Sequence, residues 1–276
     1  MKLFNKIISA FEVLINFFKI GFKLGKNLKE KFKFSFFLIF LIIKNHLIKK
    51  ADLQTTKFHL KFLNQDFDFH FRHDSDDLGV LEGIFINEDY KIQLPLNNTK
   101  IIFDLGSHIG LSAIYLSSTY PQAKIFCFEP DPKNFAQLKL HTKTHSQIHI
   151  FNYAICSQSG KRKFYKHSQS DTCHSLVPRE KIKNTIEVEC LSLVDAMRLA
   201  QVDHIDLLKF DIEGAEIEII KNFENPKMIR HFVGEIHPHL IKNFKENEFL
   251  NFFRNYQILL KRQKGKDAFI LEGSSK

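Results

Sequence analysis

The chain has 276 residues, 44% of them hydrophobic, which is enough to bury one sizeable core beside a small N-terminal appendage. Its formal net charge is +9, and residues 1–50 account for the whole excess with eleven lysines and two glutamates. The rest of the chain holds 29 basic and 29 acidic side chains. A nucleic-acid channel through the body would need its own basic stripe, so this balance argues against a nucleic-acid partner.

Residues 1–55 are predicted to form a basic amphipathic helical leader. Apolar residues recur at helical spacing along one face of its first part: Phe4, Ile7, Ile8, Phe11, Leu14, Ile15, Phe18 and Phe22. The apolar run at 34–43 is shorter than the roughly 20 residues that cross a bilayer, and no clean cleavage site indicates a signal peptide. Through residues 1–50 the leader is expected to contact an anionic membrane peripherally. The alternatives are packing on the catalytic domain or on a second copy in a homodimer, and a noncleaved anchor.

Residues 56–98 are predicted to form a β-hairpin and a short helix that leads into the main domain. Apolar and polar residues alternate on both sides of the turn at 64–66, which is the period of half-buried strands. The apolar positions are Phe58, Leu60, Phe62, Phe67, Phe69 and Phe71. The loop and short helix are expected between residues 74 and 88.

Residues 99–276 alternate strands with helices, which predicts an α/β fold with helices on both faces of a mostly parallel sheet. Strands are expected near 100–104, 124–128, 148–154, 185–191, 205–210, 231–236, 256–260 and 267–272. Helices are expected near 109–119, 133–144, 192–200, 214–222 and 240–253. The last two strands read as an antiparallel hairpin at the edge of a seven-stranded sheet.

A glycine turn between two of these strands points to a bound nucleoside. The first strand ends in Asp104, Gly106 and Gly110 follow before a helix, and the next strand ends in Glu129. Glycines let backbone N–H groups approach a ligand at a helix N-terminus, and an acid about 20 residues on suits ribose hydroxyls. The spacing is G-x-x-x-G rather than the dinucleotide pattern, and Asp104 would repel a pyrophosphate. An acid there suits the α-amino group of S-adenosylmethionine, which carries no phosphate.

Four motifs in order make the chain resemble the FkbM-type family of S-adenosylmethionine-dependent methyltransferases over residues 66–240. They are D-x-G-x-x-x-G, F-E-P-D, N-x-A and K-x-D-x-E-G-A-E. The resemblance implies a class I methyltransferase Rossmann-like fold and O-methylation of sugar or polyketide hydroxyls. Such enzymes belong to glycan, lipopolysaccharide or natural-product pathways.

Cofactor contacts are expected at the carboxyl ends of the first three strands of the domain. Asp104 and the turn around it should hold the amino-acid end of S-adenosylmethionine, and Glu129 should bind the ribose. Family position also implies Asn152 and Ala154 as neighbours of the adenine. The full predicted set is Asp104, Gly106, Ser107, His108, Gly110, Glu129, Asn152 and Ala154.

The catalytic base is expected at the ends of the next two strands. Methyl transfer to a hydroxyl needs in-line positioning and a proton acceptor, for which Asp211 or a neutral His237 is the first choice. Lys209 is expected to orient the acceptor or to pair with a carboxylate. Four further residues are predicted to contact the acceptor, two of them in the polar loop 166–184: Glu213, Glu235, Ser170 and Asp171. No metal is predicted, but Asp211, Glu213, Glu235 and His237 could instead converge on Mg²⁺.

The leading hypothesis is an O-methyltransferase that acts on a saccharide, a glycan or a glycolipid precursor. A nicotinamide-dependent Rossmann oxidoreductase and a nucleic-acid methyltransferase are the alternatives. Four widely spaced cysteines without a C-x-x-C pair predict reduced thiols in the cytoplasm, with the leader on the inner face of the membrane. They are Cys127, Cys156, Cys173 and Cys190.

Overall fold

The chain forms two compact units, of which the first ends at Glu88 and the second runs from Asp89 to Lys276. The computed structural model describes residues 14–47, 55–73, 75–93, 98–167, 170, 172–178, 182–216, 218–219, 226–240, 245, 251, 253–264 and 268–276. The domain boundaries predicted after residues 55 and 98 stay predictions.

The first unit combines two helices with a β-hairpin. Helix α1 covers residues 14–24 and α2 covers Leu28–Leu47. Strands β1 (Thr56–Phe62) and β2 (Gln65–Phe71) pair antiparallel, which confirms the predicted hairpin. A short helix α3 (Asp77–Leu81) follows and continues as a π-helical turn over Glu82–Ile86.

Alternation along the hairpin puts its phenylalanines into the core of this unit, where the ring centroids of Phe34 and Phe58 lie 4.6 Å apart. A second set of rings on the helices is exposed: Phe22, Phe32, Phe36 and Phe40. Residues 1–13, which carry the first part of the predicted amphipathic pattern, lie outside the described residues. Among the helices that the structure describes, none has the length and apolarity needed to cross a bilayer.

The second unit is built on a seven-stranded sheet. Its strands are β3 (Ile101–Leu105), β4 (Lys124–Phe128), β5 (Ile148–Phe151), β9 (Ile205–Phe210), β10 (Ile229–Ile236), β11 (Tyr256–Lys264) and β12 (Ala268–Ser275). They are ordered β11-β12-β10-β9-β3-β4-β5, with five parallel strands and an antiparallel hairpin at one edge. The predicted fold class is therefore confirmed. Every residue of β9 is buried, which explains why that strand reads as an almost unbroken apolar run.

Three helices connect the strands within the described residues: α4 (Leu111–Thr119), α5 (Pro132–Thr142) and α6 (Leu193–Ala200). They agree with the helices predicted near 109–119, 133–144 and 192–200. Most of the helices predicted near 214–222 and 240–253 lies outside the described residues. Short 3₁₀ turns cover Pro226–Met228 and Pro238–Leu240.

A separate three-stranded sheet corrects the prediction of one strand over 148–154. The strand of the main sheet ends at Phe151, and β6 (Ala154–Cys156) begins a second sheet with β7 (Gly160–Tyr165) and β8 (Thr185–Ser192). The break falls at Asn152, whose side-chain amide donates to the backbone carbonyl of Glu129 at 2.8 Å instead of continuing the ladder. Cys156 and Cys190 are buried in this sheet, and all four cysteines are free thiols.

Candidate active site

The glycine turn after β3 is shaped by close packing against the end of β9. Gly106 has φ +71, and a Cβ there would lie 1.9 Å from the carbonyl oxygen of Asp211. The backbone N–H groups of Gly106 and Ser107 donate to the carbonyl of Phe128 at 3.0 and 3.1 Å. Only glycine therefore fits at position 106, where the turn joins the ends of β4 and β9.

A buried ion pair joins two of the predicted site residues across neighbouring strands. Asp104 and Lys209 are register partners, and the Lys209 Nζ lies 2.9 Å from Asp104 Oδ1. The second carboxylate oxygen of Asp104 accepts a hydrogen bond of 2.6 Å from Ser112. Lys209 also donates to the carbonyl of Gly106 at 2.9 Å. Asp104 has no exposed surface, so in this arrangement both residues stabilise the glycine turn from within the protein interior.

Glu129 lies at the end of β4 and holds the turn from the other side. One of its carboxylate oxygens accepts the backbone N–H of His108 and the other that of Asp131, both at 2.9 Å. Burial raises the pKa of Glu129, although His108 and the two N–H groups favour the ionised form. His108 itself has φ +49, a left-handed conformation that is uncommon for a non-glycine residue. Ala154 is buried in β6, where it pairs with Cys190.

Acidic side chains surround His237 at the ends of β9 and β10. Its Nε2 lies 3.5 Å from Glu235 Oε1, 3.6 Å from Glu213 Oε1 and 3.9 Å from Asp211 Oδ1. On the other side of the ring, Nδ1 lies 2.9 Å from Glu216 Oε1. The structure therefore brings together four residues that the sequence singled out, with Glu216 as an addition.

This environment sets the protonation of the candidate bases. Burial alone would lower the pKa of His237, but Glu216, Glu235 and Glu213 outweigh it and raise that pKa to about 12. Burial likewise opposes ionisation of Asp211, but the charges of Lys209 and His237 hold its pKa below the usual value. With no cation bound, these carboxylates therefore favour the imidazolium form of His237. The neutral imidazole expected of a general base is not the form that this arrangement favours.

Lys166 and Ser175 contact the same edge of the sheet. The Lys166 Nζ lies 2.5 Å from Asp131 Oδ2, and the hydroxyl of Ser175 donates to the carbonyl of Glu213 at 2.5 Å. Ser170 lies 2.9 Å from Thr172 through their hydroxyls, within the polar loop 166–184. Asp171 lies outside the described residues.

Sequence reasoning gave no role to three residues that contact this cluster. Tyr90 donates its hydroxyl to Asp211 Oδ2 at 2.8 Å, and Lys264 of the edge hairpin forms ion pairs with Glu235 and with Asp89. Glu216 belongs to the K-x-D-x-E-G-A-E motif, so its place after Gly214 was the available signal. Tyr90 and Lys264 reach the cluster only through tertiary structure.

A parallel sheet with an antiparallel edge hairpin, a D-x-G-x-x-x-G turn and an acid after the next strand defines a class I methyltransferase. The sequence model of the methyltransferase FkbM domain matches residues 104–258. This is more than half of the chain, which therefore belongs to the FkbM methyltransferase family.

Three curated relatives are similar to this chain. Methyltransferase sdnD of Sordaria araneosa is 29% identical, over 56% of this chain and 73% of its own length. The 2-O-methyltransferase NoeI of Sinorhizobium fredii is 27% identical, over 44% of this chain and 56% of its own. The hexuronic acid methyltransferase AglP of Haloferax volcanii is 26% identical, over 50% and 56% respectively.

Proposed function

We propose that this methyltransferase transfers the methyl group of S-adenosylmethionine to a hydroxyl of a saccharide, a glycan or a glycolipid precursor. The observation that supports S-adenosylmethionine as the cofactor is the buried carboxylate of Glu129 beside the glycine turn. Each of its oxygens accepts one backbone N–H and keeps further acceptor capacity for a ribose hydroxyl. The names of NoeI and AglP support the acceptor class, since one specifies 2-O-methylation and the other a hexuronic acid.

Glu129 and Asn152, which follow β4 and β5, fit this cofactor more directly than Asp104, which lies near the end of β3. Glu129 is placed to accept from the ribose, and Asn152 fixes the backbone of the Glu129–Pro130 segment with hydrogen bonds of 2.8 and 3.2 Å. Asp104 acts through the turn, because its oxygens are engaged by Lys209 and Ser112. When bound, the cofactor supplies a methyl group on a good leaving group, a sulfonium.

The acceptor hydroxyl belongs beside Asp211, where the end of β9 meets the glycine turn. With the cofactor bound, the oxygen of the acceptor would form a bond to the methyl carbon while the bond from carbon to sulfur breaks, and the hydroxyl proton would pass to water. The chain contributes positioning and charge at this step, because an ionised Asp211 attracts the hydroxyl proton and Tyr90 fixes the carboxylate.

The proposal is tested by calorimetric titration of the wild type, Glu129→Gln and Glu187→Gln with S-adenosylmethionine and with NAD. Glu187 is an exposed acid of β8 and serves as the matched control. We expect S-adenosylmethionine to bind wild type and control equally, and Glu129→Gln to lose about 1.5–3 kcal/mol, as for a hydrogen bond to a charged group. Tight NAD binding without S-adenosylmethionine binding would contradict the assignment of S-adenosylmethionine as the cofactor.

The acceptor is tested by incubation with uronic-acid and neutral saccharides, with RNA as a competing acceptor, followed by mass spectrometry. We expect a mass gain of one methylene unit on a saccharide, located on oxygen by fragmentation. Methylation confined to RNA would contradict the proposed acceptor while leaving the cofactor in place.

A further inference from the structure

The cluster around His237 has the composition and spacing of a cation site. Asp211, Glu213 and His237 each present one donor atom, and these three atoms lie within 4.8 Å of one another. Two carboxylates and one imidazole form a donor set that suits divalent first-row metals and, through the oxygens, Mg²⁺. Binding of the cation would displace the proton from Nε2 of His237, because only the neutral ring offers a lone pair to a metal.

The distances between the donor atoms are too long for good hydrogen bonds. His237 Nε2 lies 3.6 Å from Glu213 Oε1 and 3.9 Å from Asp211 Oδ1, whereas a normal N–H···O bond spans about 2.9 Å. Ligands that share one ion at about 2.1 Å lie roughly 3–4 Å apart, depending on the angle between them. The two distances from His237 Nε2 match this spacing between ligands of one ion.

Asp211 and His237 each form a hydrogen bond through the atom that does not face the cluster. Asp211 Oδ2 accepts the hydroxyl of Tyr90 at 2.8 Å, which leaves Oδ1 towards His237. His237 is only 4% exposed, and its Nδ1 is held by Glu216 at 2.9 Å. Glu216 Oε1 in turn accepts the backbone N–H of Gly214 at 3.1 Å. A carboxylate behind the distal nitrogen of a histidine is the arrangement that orients metal-binding histidines in proteins.

The cluster carries an excess of negative charge. Four carboxylates contact the ring of His237, whereas Lys264 is shared between Glu235 and Asp89, and Lys209 is paired with Asp104. A buried carboxylate oxygen of Glu216, Oε2, has no hydrogen-bond partner among the described residues. Asp211 retains 27% exposure of its side chain, so that the cluster is open to solvent on that side.

We propose that Asp211, Glu213 and His237 bind one divalent cation, with Glu216 as the residue that positions the imidazole and Glu235 as a neighbouring carboxylate. The role of the ion rests on the proposed function: it takes the acceptor hydroxyl as a ligand and makes its proton easier to remove. The O–H bond breaks and its proton passes to water, the bond between oxygen and the methyl carbon forms, and the bond between that carbon and sulfur breaks. The step requires no oxidant or reductant.

Binding is tested first without cofactor or acceptor, by electron paramagnetic resonance of Mn²⁺ titrated into the metal-stripped full chain. We expect one Mn²⁺ per chain, at least a tenfold loss of affinity in Glu213→Gln and in His237→Gln, and a 10–100-fold loss in Glu216→Gln. Glu187→Gln is the control for an exposed acid and should bind like the wild type. Circular dichroism and the thermal midpoint without metal show whether each variant folds.

The outcomes separate this site from the proposed function. Equal Mn²⁺ affinity in wild type and Glu213→Gln, with both folded, overturns the site whatever the activity. Methyl transfer that proceeds at the same rate in EDTA and in Mn²⁺ overturns the role of the ion. Specific Mn²⁺ binding by a chain that does not bind S-adenosylmethionine supports the site and contradicts the proposed function.

Discussion

Tyr90 donates its hydroxyl to Asp211 across 2.8 Å, although the two residues are 121 positions apart in the sequence. The ring of Tyr90 also lies under the ammonium group of Lys209, which is 4.8 Å from its centroid. Burial and the charge of Asp211 raise the pKa of Tyr90 well above its usual value, so the phenol keeps its proton. Tyr90 is therefore a permanent donor that fixes the orientation of the Asp211 carboxylate.

Replacing this donor should slow methyl transfer without weakening cofactor binding. In Tyr90→Phe the ring remains, but the hydrogen bond to a charged group, worth about 1.5–3 kcal/mol, is lost. We expect kcat to fall about tenfold or more, with the affinity for S-adenosylmethionine within twofold of wild type. Tyr120→Phe is the matched control, because Tyr120 is a half-buried tyrosine at the C-terminal end of α4. Steady-state kinetics measures the fall in kcat, and calorimetry measures the affinity for S-adenosylmethionine. A loss confined to cofactor affinity would contradict the prediction.

The fold could be predicted wherever a local pattern determines the structure. The alternation along 56–71 predicted the hairpin, and the apolar run before Asp104 with its two glycines predicted a buried strand and a turn. The three-stranded sheet was missed because apolar residues lie on both sides of Asn152, so that 148–154 reads as one strand. In the structure the pairing ends at Phe151, and the side chain of Asn152 donates a hydrogen bond to the carbonyl of Glu129.

The site could be predicted as a set of residues but not as a set of contacts. Strand ends indicated Asp211, Glu213, Glu235 and His237 as neighbours, since parallel strands end at one edge of the sheet. The partner of Lys209 depends on the register between β3 and β9, which puts it opposite Asp104. The protonation of His237 depends on how many carboxylates face it, and no local pattern gives that number.

Gly106→Ala should disrupt the turn. The added Cβ would lie 1.9 Å from the carbonyl of Asp211, and φ +71 is itself unfavourable for alanine. We expect a loss of several kcal/mol in the free energy of unfolding, measured by urea denaturation, together with loss of S-adenosylmethionine binding. Gly79→Ala is the matched control, because a Cβ there meets nothing within 4 Å in helix α3. A stable Gly106→Ala variant that binds cofactor would refute the packing argument.

The charge of Asp131 should contribute stability that depends on pH. Burial alone would raise its pKa, but hydrogen bonds from His174 and Lys166 and from the N–H of Asn134 hold it well below the usual value. A lowered pKa in the folded state gives stability that is present above the unfolded value near 3.8 and is lost as the pH falls below it. Asparagine keeps the N-cap of α5 but removes the charge.

We therefore expect Asp131→Asn to be about 1–3 kcal/mol less stable than wild type at pH 7. The difference should shrink steadily below pH 4, because Asp131 becomes protonated in the unfolded chain while the folded chain still holds it ionised. Urea denaturation across this range gives both curves. A difference that is independent of pH would mean that the charge of Asp131 contributes no net stability.

The exposed phenylalanines of α2 should mediate contact with an anionic membrane. Phe32 and Phe36 are 39% and 59% exposed, and their rings stack at 6.2 Å on a helix that also carries lysines. We expect the double variant Phe32→Ser/Phe36→Ser to lose most of its co-sedimentation with phosphatidylserine vesicles, and wild-type binding to weaken in high salt. The exposed pair Val194→Ser/Leu199→Ser on α6 is the control. The alternative is that this surface binds a second copy of the chain, and sedimentation velocity tests it. A wild-type dimer that Phe32→Ser/Phe36→Ser dissociates, with no vesicle binding by either form, would support the dimer and contradict membrane contact.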